Sequence, residues 1–268
     1  MTTPKKYYLL FFVFLLVPFA TTRAQEVEAV VQQIEKEATD NSQLEVLAHE
    51  LMDVVVPRRV GTPQRKNAHV WAVKTFWEWG SEAYNEQWGT WRGWERGICH
   101  LDLMAPRVVS LHGRQLAWSP STPEGGITAG MVILPQVTDS LAFERWLPEV
   151  KGKWVCVSMP QLTGRPDYNW EEFATASSFE NMKAERKALT EAWRENLRKT
   201  GYNSRSLNQA LETAGAAGIV QSRWSNAFGA NKIFSANTSK IPVIDLSLED
   251  YGMVYRLIEN GDLSLIHI

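Results

Sequence analysis

The apolar residues of this chain change their spacing once, near Tyr84, and that change narrows the folds open to it more than any other feature. Before it the spacing is helical. Val27, Val30, Val31 and Ile34 recur on one face, Asp40-Asn41-Ser42 interrupts them, and Leu44, Leu47, Ala48, Leu51 and Met52 resume the pattern. Residues 26 to 56 therefore predict two helices. Ser42, followed by Glu45, has the form of a capping box at the second, which Pro57 ends. Arg58 to Pro63 reads as a turn. A third helix follows from about Gln64 to Trp79, with a core stripe of Ala68, Trp71, Ala72, Thr75, Phe76 and Trp79 and a stop at Gly80.

Beyond Tyr84, short apolar runs alternate with helical segments. Glu95 to Pro106 and Arg107 to Leu111 predict strands, and Pro120 to Gly126, rich in turn formers, is the first credible domain boundary. Ile127 to Leu134 and Lys153 to Met159 predict buried strands. Pro166 to Asn169 reads as loop, and Glu171 to Lys199 as one long charged helix in which the Glu171-Glu172 pair caps the start. A helix from about Ser206 to Ala214 ends at Gly215. Gly218-Ile219-Val220 and Ile241 to Asp245 predict strands, and a last helix runs from near Leu248 to Gly261. The order of elements predicts a mixed α/β fold.

Composition excludes little. The formal net charge of -2 and pI near 6.2, with no Lys/Arg block in the mature part, give no general attraction to nucleic acid. Twelve Trp is a high count, which core packing accounts for first and a sugar- or peptide-lining role second. The N-terminus is more specific. Lys5 and Lys6, the apolar run from Tyr7 to Phe19 and the small residues of Thr22-Arg23-Ala24 form a signal peptide over residues 1–24, cleaved before Gln25. The run is shorter than the ~20 residues a membrane anchor needs, so no stable membrane span is expected and the protein is expected to be secreted or periplasmic. Cys99 and Cys156 either pair in that oxidising compartment or sit apart as buried thiols.

Candidate metal ligands are few. His100-Leu101-Asp102 has a His-x-Asp spacing that a strand would place on one face. Cys99, Leu101 and Leu103 then form the opposite, apolar face of an ordinary half-buried strand, and no acidic cluster follows. His49-Glu50 begins like a zinc-binding helix, but the second histidine is replaced by Asp53. His69 lies between core positions of the third helix, His112 lies in a turn and His267 in the tail. No Gly-x-Ser-x-Gly elbow, Gly-rich phosphate loop or Cys with a matching His is present. No residue is assigned a catalytic, cofactor-binding or metal-binding role.

Three stretches together resemble a known family. The first holds Leu51-Met52-Asp53, Pro57-Arg58, Gly61-Thr62-Pro63, Ala68-His69-Val70-Trp71-Ala72 and Trp79-Gly80. The second holds Trp88-Gly89-Thr90, Gly93-Trp94-Glu95-Arg96-Gly97, Pro106 and Ala117-Trp118-Ser119-Pro120-Ser121-Thr122. The third holds Lys151-Gly152-Lys153, Ala214-Gly215-Ala216-Ala217-Gly218, Ile241-Pro242-Val243 and Glu249-Asp250-Tyr251-Gly252. In this order, from about Leu44 to Asp262, they resemble the N-terminal half of secreted co-catalytic zinc exopeptidases of the aminopeptidase and plasma glutamate carboxypeptidase (carboxypeptidase Q) type.

The resemblance implies that residues 25–115 give the N-terminal helices and first strands of the peptidase α/β sandwich. It further implies an α+β protease-associated insert over 116–245 and a helix returning to the peptidase domain over 246–262. It implies peptide substrates and two zinc ions about 3.5–4 Å apart in the full-length parent. The ligands and the Glu general base of that family all follow the insert, so none is expected within this portion, which is itself expected to be inactive. Leu263-Ser264-Leu265-Ile266-His267-Ile268 matches the translated mosaic end of a transposon-based sequencing adapter and is set aside from the fold. The alternative to the exopeptidase is a secreted, non-enzymatic binding module built on a protease-associated domain. Preference for a free N- or C-terminus and the oligomeric state stay open.

Overall fold

The computed structural model describes residues 27–55, 58–228, 230–231, 234–262 and 264–268. The expected signal peptide, Pro57 and Leu263 lie outside them. No helix among the described residues is long and apolar enough to cross a membrane. The chain divides into two compact units, Met1–Gly93 and Trp94–Ile268.

The first unit is helical. Helix α1 covers residues 27–40, α2 covers Leu44–His49 and continues as a π turn over Glu50–Val54, and α3 covers Pro63–Glu78. The capping box expected at Ser42 does not form: α2 is preceded by Gln43, and Ser42 Oγ accepts only a long 3.4 Å bond from Leu44 N–H. The π turn rotates the later residues off the expected stripe, leaving Met52 and Val54 exposed. In α3, Ala68 and Thr75 are buried, while Phe76 and Trp79 of the expected core stripe are exposed. Val27, Val30, Val31 and Ile34 of α1 are exposed as well. Gly80 stops α3 with a left-handed φ of 77°.

The second unit is a mixed α/β layer structure around one eight-stranded sheet, ordered β2-β1-β10-β4-β5-β6-β9-β3. Its strands are β1 (Asp102–Ala105), β2 (Val109–Ser110), β3 (Gly113–Gln115), β4 (Thr128–Ile133) and β5 (Trp154–Cys156). They continue with β6 (Gly218–Gln221), β9 (Val243–Leu246) and β10 (Leu265–His267). Strands β4, β5, β6 and β9 run parallel; β3 pairs antiparallel with β9, and β10 pairs antiparallel with both β1 and β4. A separate hairpin joins β7 (Trp224–Ala227) to β8 (Ala230–Asn231).

Of the parallel strands, β5, β6 and β9 are buried on both faces, which their near-continuous apolar runs require. Trp154, Cys156, Val220, Ile244 and Leu246 point to one face, where Tyr251 and Val254 of α8 (Leu248–Glu259) cover them. Val155, Ile219 and Val243 point to the other, against Phe143 of α4 (Ser140–Trp146) and Leu207 and Leu211 of α7 (Ser204–Thr213). Gly218 is opposite Trp154, whose ring lies where a Cβ on Gly218 would stand, 2.0 Å from Cζ3.

Several expected boundaries move. The long strand from Glu95 shrinks to β1. The helix expected over Glu171–Lys199 is two helices, α5 (Asp167–Phe173) and α6 (Ala176–Lys199), split at Ala174-Thr175. Thr175 caps α6 by accepting from Ser178 N–H, and the Glu171-Glu172 pair lies inside α5 rather than capping a helix. Helix α4, preceded by Asp139 accepting from Ala142 N–H at 2.8 Å, has no counterpart in the sequence reading. Leu265–His267, set aside from the fold above, pairs between β1 and β4 with Ile266 fully buried. Strand β3 lies within this sheet, and the compact units part at Gly93–Trp94. Cys99 and Cys156 are both free thiols.

Candidate functional site

The histidines and acids of the sequence reading are dispersed. On the first unit, His49 Nδ1 lies 2.9 Å from Asp53 Oδ2 on one exposed helical face, and Glu50 turns away to accept from Trp71 Nε1 at 2.8 Å. His69 is exposed on α3. On the second unit, His100 is exposed just before β1, with Leu101 and Leu103 buried on the opposite face. Asp102 accepts from Ser110 Oγ at 2.7 Å, which uses one of its oxygens in tying β1 to β2. His112 donates its backbone N–H to Asp250 Oδ2 at 2.6 Å, with its ring exposed. His267 Nδ1 lies 2.6 Å from Thr128 Oγ1 across β10 and β4. Among the described residues, no group of three His, Cys, Asp or Glu is placed to hold a metal ion. The residues present do not fit the zinc centre that the resemblance implies.

Two polar features stand out that no motif announced. The first is Asp245, nearly fully buried at the end of β9. Its Oδ2 accepts from Gln221 Nε2 and from Arg223 N–H, each at 3.1 Å, and its Oδ1 from Asn231 Nδ2. Burial raises its pKa, and the donors from Asn231, Gln221 and Arg223 offset that only in part. The carboxylate thus fastens the β7–β8 hairpin to the sheet. Its signal in the sequence is an acid inside the apolar run Val243-Ile244-Asp245-Leu246.

The second is a groove of about 470 Å³ where β5 and β6 end, between the sheet and helices α6 and α7. Val157, Trp193 and Leu207 give it an apolar lining, while Ser158, Asn208, Arg194 and Arg223 give it polar groups. Its rear wall is fixed. Tyr251 Oη donates to Ser158 O at 2.6 Å and accepts from Ser158 N–H at 2.9 Å, and Ser158 Oγ accepts from Ser222 N–H at 3.1 Å. Crevices beyond the carboxyl ends of parallel strands are where sheets of this kind take ligands. The residues that line it are scattered over β5, α6, α7 and β6, so no local spacing betrays them.

Neither thiol is arranged for nucleophilic chemistry. Burial pushes Cys156 up to about 12, against a smaller opposing effect of Tyr251, and burial also raises Cys99 above its ordinary value. The Trp88–Trp94 stretch presents Trp88 and Trp91 almost bare to solvent, 95% and 79% exposed. Trp94 is half-buried, with Trp118 at 5.9 Å and the Arg96 guanidinium 5.3 Å above its ring.

No protein-family model and no curated protein matches the chain. Among solved structures, the chain aligns with a peptidase M28 precursor from Shewanella amazonensis at TM-score 0.56 and 20% identity, over 89% of this chain and 49% of that one. It also matches BSAP, a zinc aminopeptidase from Bacillus subtilis, at TM-score 0.39 and 14% identity, over 82% of this chain and 40% of that one. An aminopeptidase from Aneurinibacillus sp. strain AM-1 aligns at TM-score 0.40 and 9% identity, over 79% and 40%. The first likeness establishes a shared mixed α/β fold with the Shewanella protein, of whose length this chain spans about half.

Proposed function

We propose that this chain is the N-terminal, non-catalytic portion of a secreted zinc-dependent exopeptidase that removes residues or dipeptides from one end of a peptide. The observation that carries the reading is the fold shared with the peptidase M28 precursor across 89% of this chain but only 49% of that protein. The ordered motif series from Leu44 to Asp262 supports the same family.

On this reading residues 1–24 are the signal peptide and 25–115 supply outer helices and first strands of the peptidase domain. Residues 116–245 form a protease-associated insert that shapes access to a cleft, and 246–262 return to the peptidase domain. The two zinc ions and the residues that hold them belong to a segment following Asp262. Residues 263–268 are adapter-derived on this reading.

The test compares zinc content and dipeptide hydrolysis of the 268-residue chain with those of a form extended through the native downstream gene. The expected result is about two zinc ions and turnover in the extended form alone. Zinc binding and turnover by the short chain would return His49, Asp53, His100 and Asp102 to consideration and overturn the reading. A native stop codon directly after the shared segment would favour a secreted binding module instead.

A further inference from the structure

We propose that the corner where α5, α6 and the β7–β8 hairpin meet binds a carboxylate on the guanidinium fork of Arg186. The first observation is the fork itself. Arg186 of α6 commits Nη1 to Asp167 Oδ1, at 2.6 Å, and its side chain is only 17% exposed. Its other two nitrogens, Nε and Nη2, are shut from solvent and have no hydrogen-bond partner among the described residues. Their N–H groups lie along one edge of the guanidinium and point the same way, the edge that takes both oxygens of a carboxylate in parallel bonds. Buried donors on a charged group are costly to leave unmet, so this edge points to an acceptor.

The second observation is another donor in the same corner. Trp170 stands one turn after Asp167 on α5, and its indole Nε1 is likewise buried with no partner among the described residues. The third is the way the fork is held. Trp224 of β7 lies against the guanidinium, 5.1 Å from ring centre to Cζ, and Asn226 of the same hairpin accepts from Asp167 N–H at 3.1 Å. Stacking takes the face of the guanidinium and Asp167 takes one edge, which leaves the Nε–Nη2 edge oriented and unused. Asp167 already matches the charge of Arg186. Arg165, exposed, in no ion pair among the described residues and 5.8 Å from the Trp170 ring, supplies the positive charge that an incoming anion needs. Three donors with no acceptor among them suit an acceptor-only group. A carboxylate has two coplanar oxygens for the fork and lone pairs left for the indole, whereas a tetrahedral phosphate brings more charge and bulk into a closed corner. Because the fork is shut from solvent, entry takes a local opening of the corner. The inference does not rest on the exopeptidase reading.

The experiment titrates the full 268-residue chain, labelled with nitrogen-15, separately with sodium acetate, acetamide, sodium chloride and inorganic phosphate. It follows the Arg186 Nε–H and Trp170 Nε1–H signals. Saturable shifts of both, with a Kd of about 10 mM or tighter, are expected for acetate, and binding about tenfold weaker or less for the other three. Arg186→Lys, which keeps a charge for Asp167 but lacks the fork, should bind acetate about tenfold more weakly, read on the Trp170 signal. Trp170→Phe, which keeps the ring and loses the donor, should weaken acetate by about threefold, read on the Arg186 signal; if Arg186→Lys does not fold, this variant decides. The α-amide of N-acetylaspartate separates the sources. Binding as tight as that of acetate assigns the site to an acidic side chain, binding of acetate alone assigns it to a free small acid, and either result supports the proposal. No saturable shift at about 100 mM acetate, as water alone on the fork would give, overturns it. Acetamide, chloride or phosphate binding as tightly as acetate also overturns it, as does acetate binding that both variants leave unchanged.

Discussion

Gly218 and Trp154 show how closely single residues are matched in the second unit. Because a Cβ at 218 would overlap the indole, Gly218→Ala must displace Trp154 in the centre of the sheet. We expect it to cost about 1–3 kcal/mol of stability, read as a lower denaturation midpoint with an unchanged slope. Glu212 is matched in another way. Its Oε1 accepts from the backbone N–H groups of Ser239, at 2.8 Å, Lys240 and Ile241, pinning the loop that leads into β9. Burial acts to raise its pKa, but the bonds from Lys240, Ser239 and Ile241 together outweigh it, and the net shift is downward. The sign follows from linkage. The stabilisation is complete above the unfolded carboxyl value and is lost as pH falls through the lower folded one. Glu212→Gln should therefore be slightly less stable than the unaltered protein at pH 7, by less than about 1 kcal/mol because solvent screens a partly exposed carboxylate, and the two melts should converge in acid. Little at this scale was legible beforehand. Gly218 stood in the motif series as a glycine before a strand, but its reason, a tryptophan one strand away, is a tertiary contact. Nothing in the neighbourhood of Glu212 or Asn208 distinguishes them from other polar residues on a helix.

Among the elements, α6 is held at its C-terminal end by one buried amide. Asn196 Oδ1 accepts from Val137 N–H at 2.8 Å, and its Nδ2 donates to Pro135 O at 2.9 Å, joining the helix to the segment between β4 and α4. Asn196→Leu would strand both backbone groups, and a loss of about 2–4 kcal/mol is expected in chemical denaturation. Asn196→Asp, which keeps the acceptor, should lose less. The buried strands were the most legible elements, because Val155, Ile219, Val220, Val243 and Ile244 sit in runs that only a doubly covered strand accommodates. Helices were legible in existence but not in their joints. The break at Ala174-Thr175 is set by a threonine cap, a local bond that charge periodicity from Glu171 to Lys199 conceals. The capping box at Ser42 failed because α2 starts one residue later than that pattern assumes.

At the scale of the molecule, the two units differ in how well they are covered. The second encloses β5, β6 and β9 on both faces, whereas the first leaves Val27, Val30, Val31 and Ile34 of α1, and Phe76, Trp77 and Trp79 at the end of α3, exposed. Helices with bare apolar stripes have little tertiary packing to stabilise them. Limited proteolysis is expected to remove residues before Gly93 first, beginning in the helix-free and strand-free stretch after Gly80, and to spare the second unit. Even digestion of both units, or a single cooperative melt of the whole chain, would contradict this. The mixed α/β class was readable from the single change of spacing near Tyr84, yet the sheet order was not.

That order has a consequence for how the chain is made. Strand β3 closes one edge of the sheet against β9, so a strand synthesised early borders on one synthesised much later. While the ribosome advances from Gln115 to Val243, Leu111 and Leu116 have no settled neighbour on that side, and their apolar faces wait in the open. Contacts so distant along the chain form slowly. During that interval the early strand is what a chaperone would hold or another nascent chain would capture, and this edge of the sheet closes only when β9 arrives.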